Sequence, residues 1–240
     1  MVINDPVNES IHPDDAMYRV MKGHGNERGY IPSGRNNTLV FRELVGKIRP
    51  SLLTGKRLLD FGCGHGRMTR HMKTVFSLSH LVAADVLETG VEFCAREFGA
   101  SPFSISKDNP ISNCDSTFDL IIAVSVFTHL PRQLFESSMA GLSKILDKEG
   151  LLLFTANGED FQRRHNERGH NVTLEGGFYF GNLTQRRKES KASVLPLDEY
   201  GQTCVSYDFV KALLERVDLK IVEFVPHGHV RSQDIYVATH

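Results

Sequence analysis

Residues 57–66 combine residue types that are typical of a ligand-binding turn. A short apolar run ends at Asp60, and Gly62, Gly64 and Gly66 follow at every second position. Because glycine has no Cβ, this spacing lets the main chain turn tightly and lets a ligand lie directly against backbone amides. A helix-compatible stretch follows, and its first amides would face the same ligand. The pattern therefore predicts a strand, a ligand-binding turn and a helix.

A second candidate group is Asp85, which ends the next apolar run. A carboxylate at a strand end beside a glycine-rich turn is placed to accept hydrogen bonds from both hydroxyls of a ribose. Asp85 alone does not exclude a nicotinamide dinucleotide, which is bound in the same way. The dinucleotide pattern G-x-G-x-x-G, however, would need glycine where the chain has Arg67. A nicotinamide-dependent dehydrogenase is therefore disfavoured.

The pattern D-x-G-x-G-x-G over residues 60–66, followed by Asp85, resembles the first motifs of class I S-adenosylmethionine-dependent methyltransferases. The resemblance implies S-adenosylmethionine as cofactor and S-adenosylhomocysteine as product, with the glycines admitting the methionine part. In this family a polar residue after the third strand meets the adenine amino group, and Asp108 is the best match, a plain turn being the alternative. The implied cofactor site comprises Asp60, Phe61, Gly62, Cys63, Gly64, Gly66, Asp85, Val86, Asp108, Val124 and Ser125.

Three histidines are candidate general bases, because histidine titrates near neutral pH and can take the proton of an attacking hydroxyl. His129 is the first candidate, since it follows a predicted strand whose carboxyl end would face the ligand crevice of a parallel sheet. His227 and His229 lie close together near the C-terminus, and Asp198 is a further candidate. A structural role is the alternative for His129, and an amine acceptor would need no strong base.

Neither a metal nor a nucleic acid is expected. Magnesium-dependent catechol-type methyltransferases carry a metal-binding carboxylate after the fourth strand, and residues 124–129 contain none. Enzymes that methylate the amino groups of DNA bases carry Asn/Asp-Pro-Pro-aromatic there, whereas this chain reads Val-Ser-Val-Phe over 124–127.

The composition is typical of one α/β domain. The chain has 240 residues, 40% of them hydrophobic, and a formal net charge of −1, so no overall charge favours a nucleic-acid or membrane partner. Its four cysteines lie singly, which predicts reduced thiols in a cytoplasmic protein. No apolar run is long enough for a membrane span, and the N-terminus has no secretory pattern.

Hydrophobic periodicity predicts alternating helices and strands. A helix begins at Asn36 and ends before Pro50, and further helices follow the glycine turn and the next strands. Together with the resemblance, this implies an α/β, Rossmann-like class I methyltransferase fold. Its sheet would be mostly parallel and seven-stranded, with a C-terminal antiparallel hairpin joined at 226–229 and helices on both faces. The predicted strands are 57–61, 81–85, 102–105, 118–124, 151–156, 219–225 and 233–238.

We expect residues 1–35 to form an extended N-terminal arm and residues 36–240 a single methyltransferase domain. The polar segment at about 157–204 breaks the periodicity and is predicted to be a substrate-cap insertion. Within it, the basic stretch 161–191 either receives an acidic acceptor or is solvated surface. The aromatic triplet 178–180 either stacks on sugars or, as favoured here, anchors the segment to the core.

The substrate is indicated only by the flanking segments 29–35, 197–201, 226–229 and 233–237. They resemble methyltransferases associated with glycosyltransferases in glycan and polysaccharide assembly, which implies O-methylation of a sugar or glycan acceptor, nucleotide-sugars included. The alternatives are an N-methyltransferase of an amino sugar or small amine, and a catalytically silent S-adenosylmethionine-binding partner in a glycan-assembly complex.

Overall fold

The computed structural model describes residues 7–106, 111, 114, 116–183, 201–229 and 233–240. The helices are α1 (Ala16–Gly23), α2 (Tyr30–Ile48), α3 (Thr69–Phe76), α4 (Glu88–Phe98), α5 (Arg132–Ile145), α6 (Glu159–Glu167) and α7 (Tyr207–Arg216). The strands are β1 (Arg57–Phe61), β2 (His80–Asp85), β3 (Ser101–Ser104), β4 (Phe118–Ala123), β5 (Leu146–Ala156), β6 (Phe178–Gly181), β7 (Gln202–Val205), β8 (Lys220–His229) and β9 (Gln233–Thr239).

Seven strands form one sheet in the order β3-β2-β1-β4-β5-β9-β8. Strand β1 pairs in parallel with β2 and β4, and β2 pairs in parallel with β3. Strand β9 runs antiparallel to both β5 and β8. The expected Rossmann-like architecture, with a mostly parallel sheet and antiparallel C-terminal strands, is therefore confirmed. Strands β6 and β7 form a separate antiparallel pair.

The described residues divide into two compact units. The first comprises the chain up to residue 106 together with Phe118–Ile122, and the second comprises Ala123 onward with residues 111, 114, 116 and 117. In the first unit, Leu58 and Leu59 of β1 are almost completely buried, as expected for a strand covered on both faces. In the second unit, Phe154 of β5 and Tyr236 of β9 are fully buried and stack with ring centroids 5.1 Å apart.

The expected extended arm was wrong for residues 16–35, which are largely helical. Asp15 caps α1 by accepting a hydrogen bond from the Tyr18 amide at 2.8 Å, and the Tyr30 hydroxyl donates to the same carboxylate. Helix α2 begins at Tyr30 and runs through Gly34, where a Cβ would lie 2.0 Å from the Arg67 carbonyl oxygen. Gly34 thus serves close packing of the chain and does not interrupt the helix. The proposed boundary between arm and domain stays a prediction.

The predicted hairpin turn at 226–229 was also wrong, because these residues belong to strand β8. The pairing of β8 with β9 shifts register between Val225 and His229, and His227 has a left-handed backbone with φ 56°. The extra residues are therefore accommodated as a bulge inside the strand. The connection itself, 230–232, lies outside the described residues.

Candidate cofactor and acceptor sites

The glycine turn after β1 has the backbone that its sequence predicts. Gly62, Gly64 and Gly66 have φ values of 82°, 52° and 77°, a region that favours glycine. At Gly64, no heavy atom of the described chain lies within 4 Å of where a Cβ would be, whereas at Gly66 a Cβ would lie 2.3 Å from the Phe98 ring. Gly64 therefore faces open space suited to a ligand, and Gly66 packs against α4.

Asp60 lies buried at the end of β1, next to this turn. Its Oδ2 accepts a hydrogen bond from the Thr69 hydroxyl at 2.6 Å. Burial raises the pKa of Asp60 to about 7, while the Thr69 hydrogen bond opposes the shift. Thr69, the first residue of α3, was not predicted as a site residue, and nothing in the local pattern distinguishes it.

Asp85 supports the turn from the end of β2. Its Oδ2 accepts from the Gly64 amide at 2.8 Å, and its Oδ1 accepts from the Leu87 amide at 2.9 Å. Burial raises the pKa of Asp85, and these backbone hydrogen bonds oppose the shift. Each carboxylate oxygen has further acceptor capacity, so the predicted bonds to ribose hydroxyls fit this geometry. Val86 beside it is exposed.

Two buried thiols, those of Cys63 and Cys94, contact the backbone of the glycine turn. Cys63 donates to the Gly64 carbonyl oxygen at 3.4 Å, and the Cys94 thiol contacts the same oxygen at 3.8 Å. The hydrogen bond with Cys94, and then burial, raise the pKa of Cys63, so the thiol stays protonated. All four cysteines of the chain are unpaired in the structure. Phe61 is buried in β1, and Asp108 lies outside the described residues.

An N-terminal segment contacts the turn, which the sequence did not indicate. Arg70 of α3 donates from Nη1 to the carbonyl oxygens of Asn8 and Ser10, both at 3.0 Å. The His12 ring stacks on that of His65, within the glycine turn, with centroids 4.4 Å apart. Residues 8–12, which we call the N-terminal strap, therefore pack directly on the cofactor turn.

In the second unit, Ser125 forms hydrogen bonds with residues of β5 and β9. Its amide donates to the Thr155 hydroxyl at 2.8 Å, and its hydroxyl donates to the Gln233 side-chain oxygen at 3.1 Å. Its φ of 59° is left-handed. Val124 before it is half-buried. Thr155 and Gln233 belong to β5 and β9 and escaped prediction, because only the strand order of the folded sheet brings them to Ser125.

His129 follows on the same connection. Its Nδ1 lies 2.8 Å from the Gly201 carbonyl oxygen, and its own carbonyl accepts from the Gly201 amide at 3.0 Å. Because a carbonyl only accepts, we assign the proton to Nδ1 and the lone pair of the neutral ring to Nε2. This tautomer is compatible with a base, and the two bonds also give the residue a structural role.

A cavity of about 160 Å³ opens at the carboxyl end of β5. Gly158, two residues beyond β5, lies in its wall, as does Asp234, which pairs with Ala156. The wall combines three acidic side chains, two aromatic rings and a histidine: Glu159, Asp160, Asp234, Tyr207, Phe224 and His227. Only His227 among them was a predicted site residue.

The acidic groups of this cavity are held by specific partners. Asp160 pairs with Arg163 and with Arg164, whose Nε lies 2.7 Å from Oδ2. Burial acts to raise the pKa of Asp160, but the Arg163 hydrogen bond and the neighbouring positive charges lower it overall. Asp234 accepts from the His227 amide at 2.9 Å, and burial raises its pKa.

The remaining predicted residues have different surroundings. His229 is buried in β8, with 6% of its surface exposed. Phe178 packs against Phe135 and Phe209, so the aromatic triplet anchors its segment to the core. In the basic stretch, Arg163 bridges Asp160 and Glu167. Asp198 and residues 184–191 lie outside the described residues.

Within the described part of the chain, no group of three or more histidine, cysteine or acidic side chains is placed to hold a metal ion. In the same residues, no helix has the length and apolar character needed to cross a membrane.

The strand order, the left-handed glycine turn and the carboxylate that holds it define a class I S-adenosylmethionine-dependent methyltransferase. The model of a family described as "Methyltransferase domain" matches residues 34–223, and the chain belongs to this family. This part of the chain is therefore a methyltransferase domain, and S-adenosylmethionine is the cofactor of that domain. The open space at Gly64 and the carboxylate of Asp85 fit that cofactor.

The curated relatives match this chain at low identity and over only part of their length. A malonyl-[acyl-carrier protein] O-methyltransferase of Bacillus cereus is 27% identical over 121 residues, which is 50% of this chain and 44% of that protein. A fatty-acid O-methyltransferase of Mycolicibacterium smegmatis is 27% identical over 105 residues, 42% of this chain and 37% of that protein. The chain thus spans less than half the length of these relatives.

Solved structures share the fold at low identity. An S-adenosylmethionine-bound amino pentose methyltransferase from Micromonospora echinaspora, involved in calicheamicin biosynthesis, aligns with a TM-score of 0.61 at 15% identity, covering 98% of this chain and 99% of that one. An S-adenosylmethionine-dependent methyltransferase from Clostridium acetobutylicum aligns with a TM-score of 0.59 at 15% identity, covering 85% and 91%.

Proposed function

We propose that the protein is an S-adenosylmethionine-dependent O-methyltransferase whose acceptor is a sugar or the sugar unit of a glycan. The observation that carries the proposal is the cavity at the end of β5. Its carboxylates, Asp160 and Asp234, can accept hydrogen bonds from sugar hydroxyls. Its rings, Tyr207 and Phe224, offer apolar faces against which the C–H surface of a sugar packs.

Size and charge support a sugar over an acyl chain. The cavity has a volume of about 160 Å³ and is open on one side, so it has room for one small ring. The polar groups of its wall suit a sugar better than an acyl chain. Glu159 and Asp234 in its wall also disfavour an anionic acceptor, whereas Arg163 and Arg164 offset the charge of Asp160. Among sugars, this favours a neutral one over a nucleotide-sugar.

The cofactor and the protein would contribute different parts of the reaction. Gly64 and Asp85 would hold S-adenosylmethionine, which when bound supplies an electrophilic methyl group on a positively charged sulfur. The protein's own contribution is to orient the acceptor oxygen, exclude water and receive the acceptor's proton. Oxygen acceptors need that proton removed during attack, whereas an amine can lose it afterwards to water.

An amino sugar or small amine is the second candidate acceptor. The same cavity carboxylates that accept hydrogen bonds from hydroxyls would attract a protonated amine. A third reading, a catalytically silent S-adenosylmethionine-binding partner in a glycan-assembly complex, predicts cofactor binding without turnover. A cytoplasmic location also stays a prediction, based on the unpaired cysteines.

The test is product analysis by mass spectrometry after incubation with methyl-labelled S-adenosylmethionine. The acceptor panel contains neutral sugars, nucleotide-sugars, amino sugars, a fatty acid and a malonyl-carrier protein. We expect label on a hydroxyl of a sugar, and none with the Gly64→Val variant. Label on nitrogen would favour the second candidate, and label on the fatty acid or the malonyl group would contradict the proposal. No label on any acceptor, with intact cofactor binding, would favour the silent partner.

A further inference from the structure

We propose that His227 is the general base of the reaction and that Asp160 is the residue that positions it. The inference rests on the proposed oxygen acceptor. It assigns a task to Asp160, which no pattern in the sequence indicates, and it favours His227 over His129, the first candidate from the sequence.

The two side chains face each other in the wall of the acceptor cavity. Nδ1 of His227 lies 3.6 Å from Oδ2 of Asp160, and half of the histidine side chain is exposed. A proton on Nδ1 directed at the carboxylate leaves the lone pair on Nε2, which is the tautomer that a base requires. Catalytic hydrogen bonds are often long before the substrate binds, so 3.6 Å is compatible with this role.

The backbone of His227 indicates that its orientation is imposed. Its φ of 56° is uncommon for a residue other than glycine, and it lies where β8 shifts register against β9. Asp234 holds the strained residue by accepting from its amide at 2.9 Å. Bulges and strained residues of this kind recur at functional sites, where they direct a side chain.

The charges around His227 suit a base. Glu159 and Asp160 face the cavity from the first turn of α6. Asp234 faces it from β9, and Tyr207 faces it from α7. Arg163 and Arg164 pair with Asp160, which keeps that carboxylate ionised at neutral pH. A carboxylate stabilises the imidazolium that forms when the ring takes a proton.

The other two histidines have different surroundings among the described residues. Nδ1 of His129 faces the carbonyl oxygen of Gly201, which carries no full charge. His229 is buried within β8. His227 lies in the cavity wall, and its Nδ1 faces a carboxylate.

The step is balanced as follows. The acceptor oxygen forms a bond to the methyl carbon, and the carbon–sulfur bond breaks with its electron pair remaining on sulfur. The hydroxyl proton passes to Nε2 of His227, and Asp160 stabilises the resulting charge. The products are the methyl ether, S-adenosylhomocysteine and a protonated histidine, which later releases its proton to water.

The pairing can be tested without an acceptor. NMR of protein labelled with ¹⁵N-histidine reports which ring nitrogen of neutral His227 carries the proton in the wild type and in Asp160→Asn. Because Asp160 faces Nδ1, we expect the proton on Nδ1 in the wild type and a mixture of the two tautomers in the variant. Asp208→Asn, an exposed site on α7, is the matched control and should leave the tautomer unchanged. The same tautomer in Asp160→Asn as in the wild type would overturn the positioning role.

The base role is tested by kinetics on the wild-type enzyme's own oxygen acceptor. We expect His227→Gln to lower kcat by about 10²–10⁴-fold, to remove the acidic limb of the pH–rate profile, and to leave cofactor affinity unchanged. Asp160→Asn should lower kcat less and have no further effect in a His227→Gln background. His227→Gln at the parent rate would overturn the base alone. A wild type that methylates only nitrogen would overturn the proposed function and the base role with it.

Discussion

Gly64 and Gly66 share a left-handed backbone but differ in their surroundings, so we expect substitutions at the two positions to have different effects. Gly64→Val should abolish S-adenosylmethionine binding, because the new side chain would fill the open space, and its loss of stability should come from the left-handed backbone and not from overlap with other side chains. Gly66→Ala should lower the thermal unfolding temperature, because its Cβ would overlap Phe98 and Cys94. Calorimetric titration and thermal unfolding of both variants check this. Parent-like cofactor affinity in Gly64→Val would contradict the assigned site.

A second prediction concerns the charge on Asp85. Asp85→Asn keeps the shape of the side chain but removes the charge from its hydrogen bonds to ribose. Such bonds contribute about 1.5–3 kcal/mol, so S-adenosylmethionine should bind roughly 10- to 100-fold more weakly. Glu92→Gln, at an exposed position on α4, is the control. If Asp85→Asn binds like the parent, the ribose assignment is wrong.

For single residues, the sequence predicts the groups that face a ligand better than it predicts the side chains that hold those groups in place. Asp60, the glycines and Asp85 are recognisable because their types and spacing are themselves constrained. Thr69 beside Asp60, and Asp160 beside His227, are ordinary residues whose roles depend on contacts that only the folded chain creates. The prediction for His129 as a base is untested by the geometry, which also shows its structural bonds to Gly201.

Helix α3 carries a buried histidine that predicts acid sensitivity. His71 Nε2 bonds the Ile31 carbonyl at 3.1 Å, and Nδ1 is buried without a partner among the described residues. Burial, reinforced by Arg70, lowers the pKa of His71 to about 4. The unfolded chain would bind this proton near pH 6.5, so stability is lost as pH falls from about 6.5 to about 4.

The corresponding experiment is urea unfolding at pH 7 and pH 4. We expect the wild type to lose up to about 3 kcal/mol through this group, and His71→Gln to lose correspondingly less. His24→Gln, an exposed histidine after α1, is the control and should behave like the wild type. Equal acid losses in His71→Gln and the wild type would contradict the prediction.

Among whole elements, those with strong apolar periodicity were predicted well. Strands β1 and β2 lie within one residue of their expected bounds, and a helix, α4, follows β2 as expected. The misses came where packing overrides composition: polar residues 16–35 fold as helices because Asp15 caps α1 and Gly34 packs on Arg67. Asp15 before an amphipathic run was an N-cap signal that could have been used.

For the molecule as a whole, we predict activity without a divalent metal. The chain lacks the strand-end carboxylate of the magnesium-dependent enzymes at 124–129. Enzyme dialysed against EDTA should therefore methylate its acceptor at the parent rate, measured by label transfer. Loss of activity that added magnesium restores would refute the prediction.

The N-terminal strap has a consequence for the time that a ligand stays bound. Because the His12 ring stacks on His65 of the glycine turn, opening the turn requires the strap to separate from it. Product release limits turnover in many enzymes, and a segment packed on the cofactor turn is placed to slow it. His12→Ala should shorten the lifetime of bound S-adenosylhomocysteine in an isotope-chase measurement, and His24→Ala should not. An unchanged lifetime would show that the strap has a purely structural role. A shortened lifetime would show that the N-terminal strap controls the rate of product release.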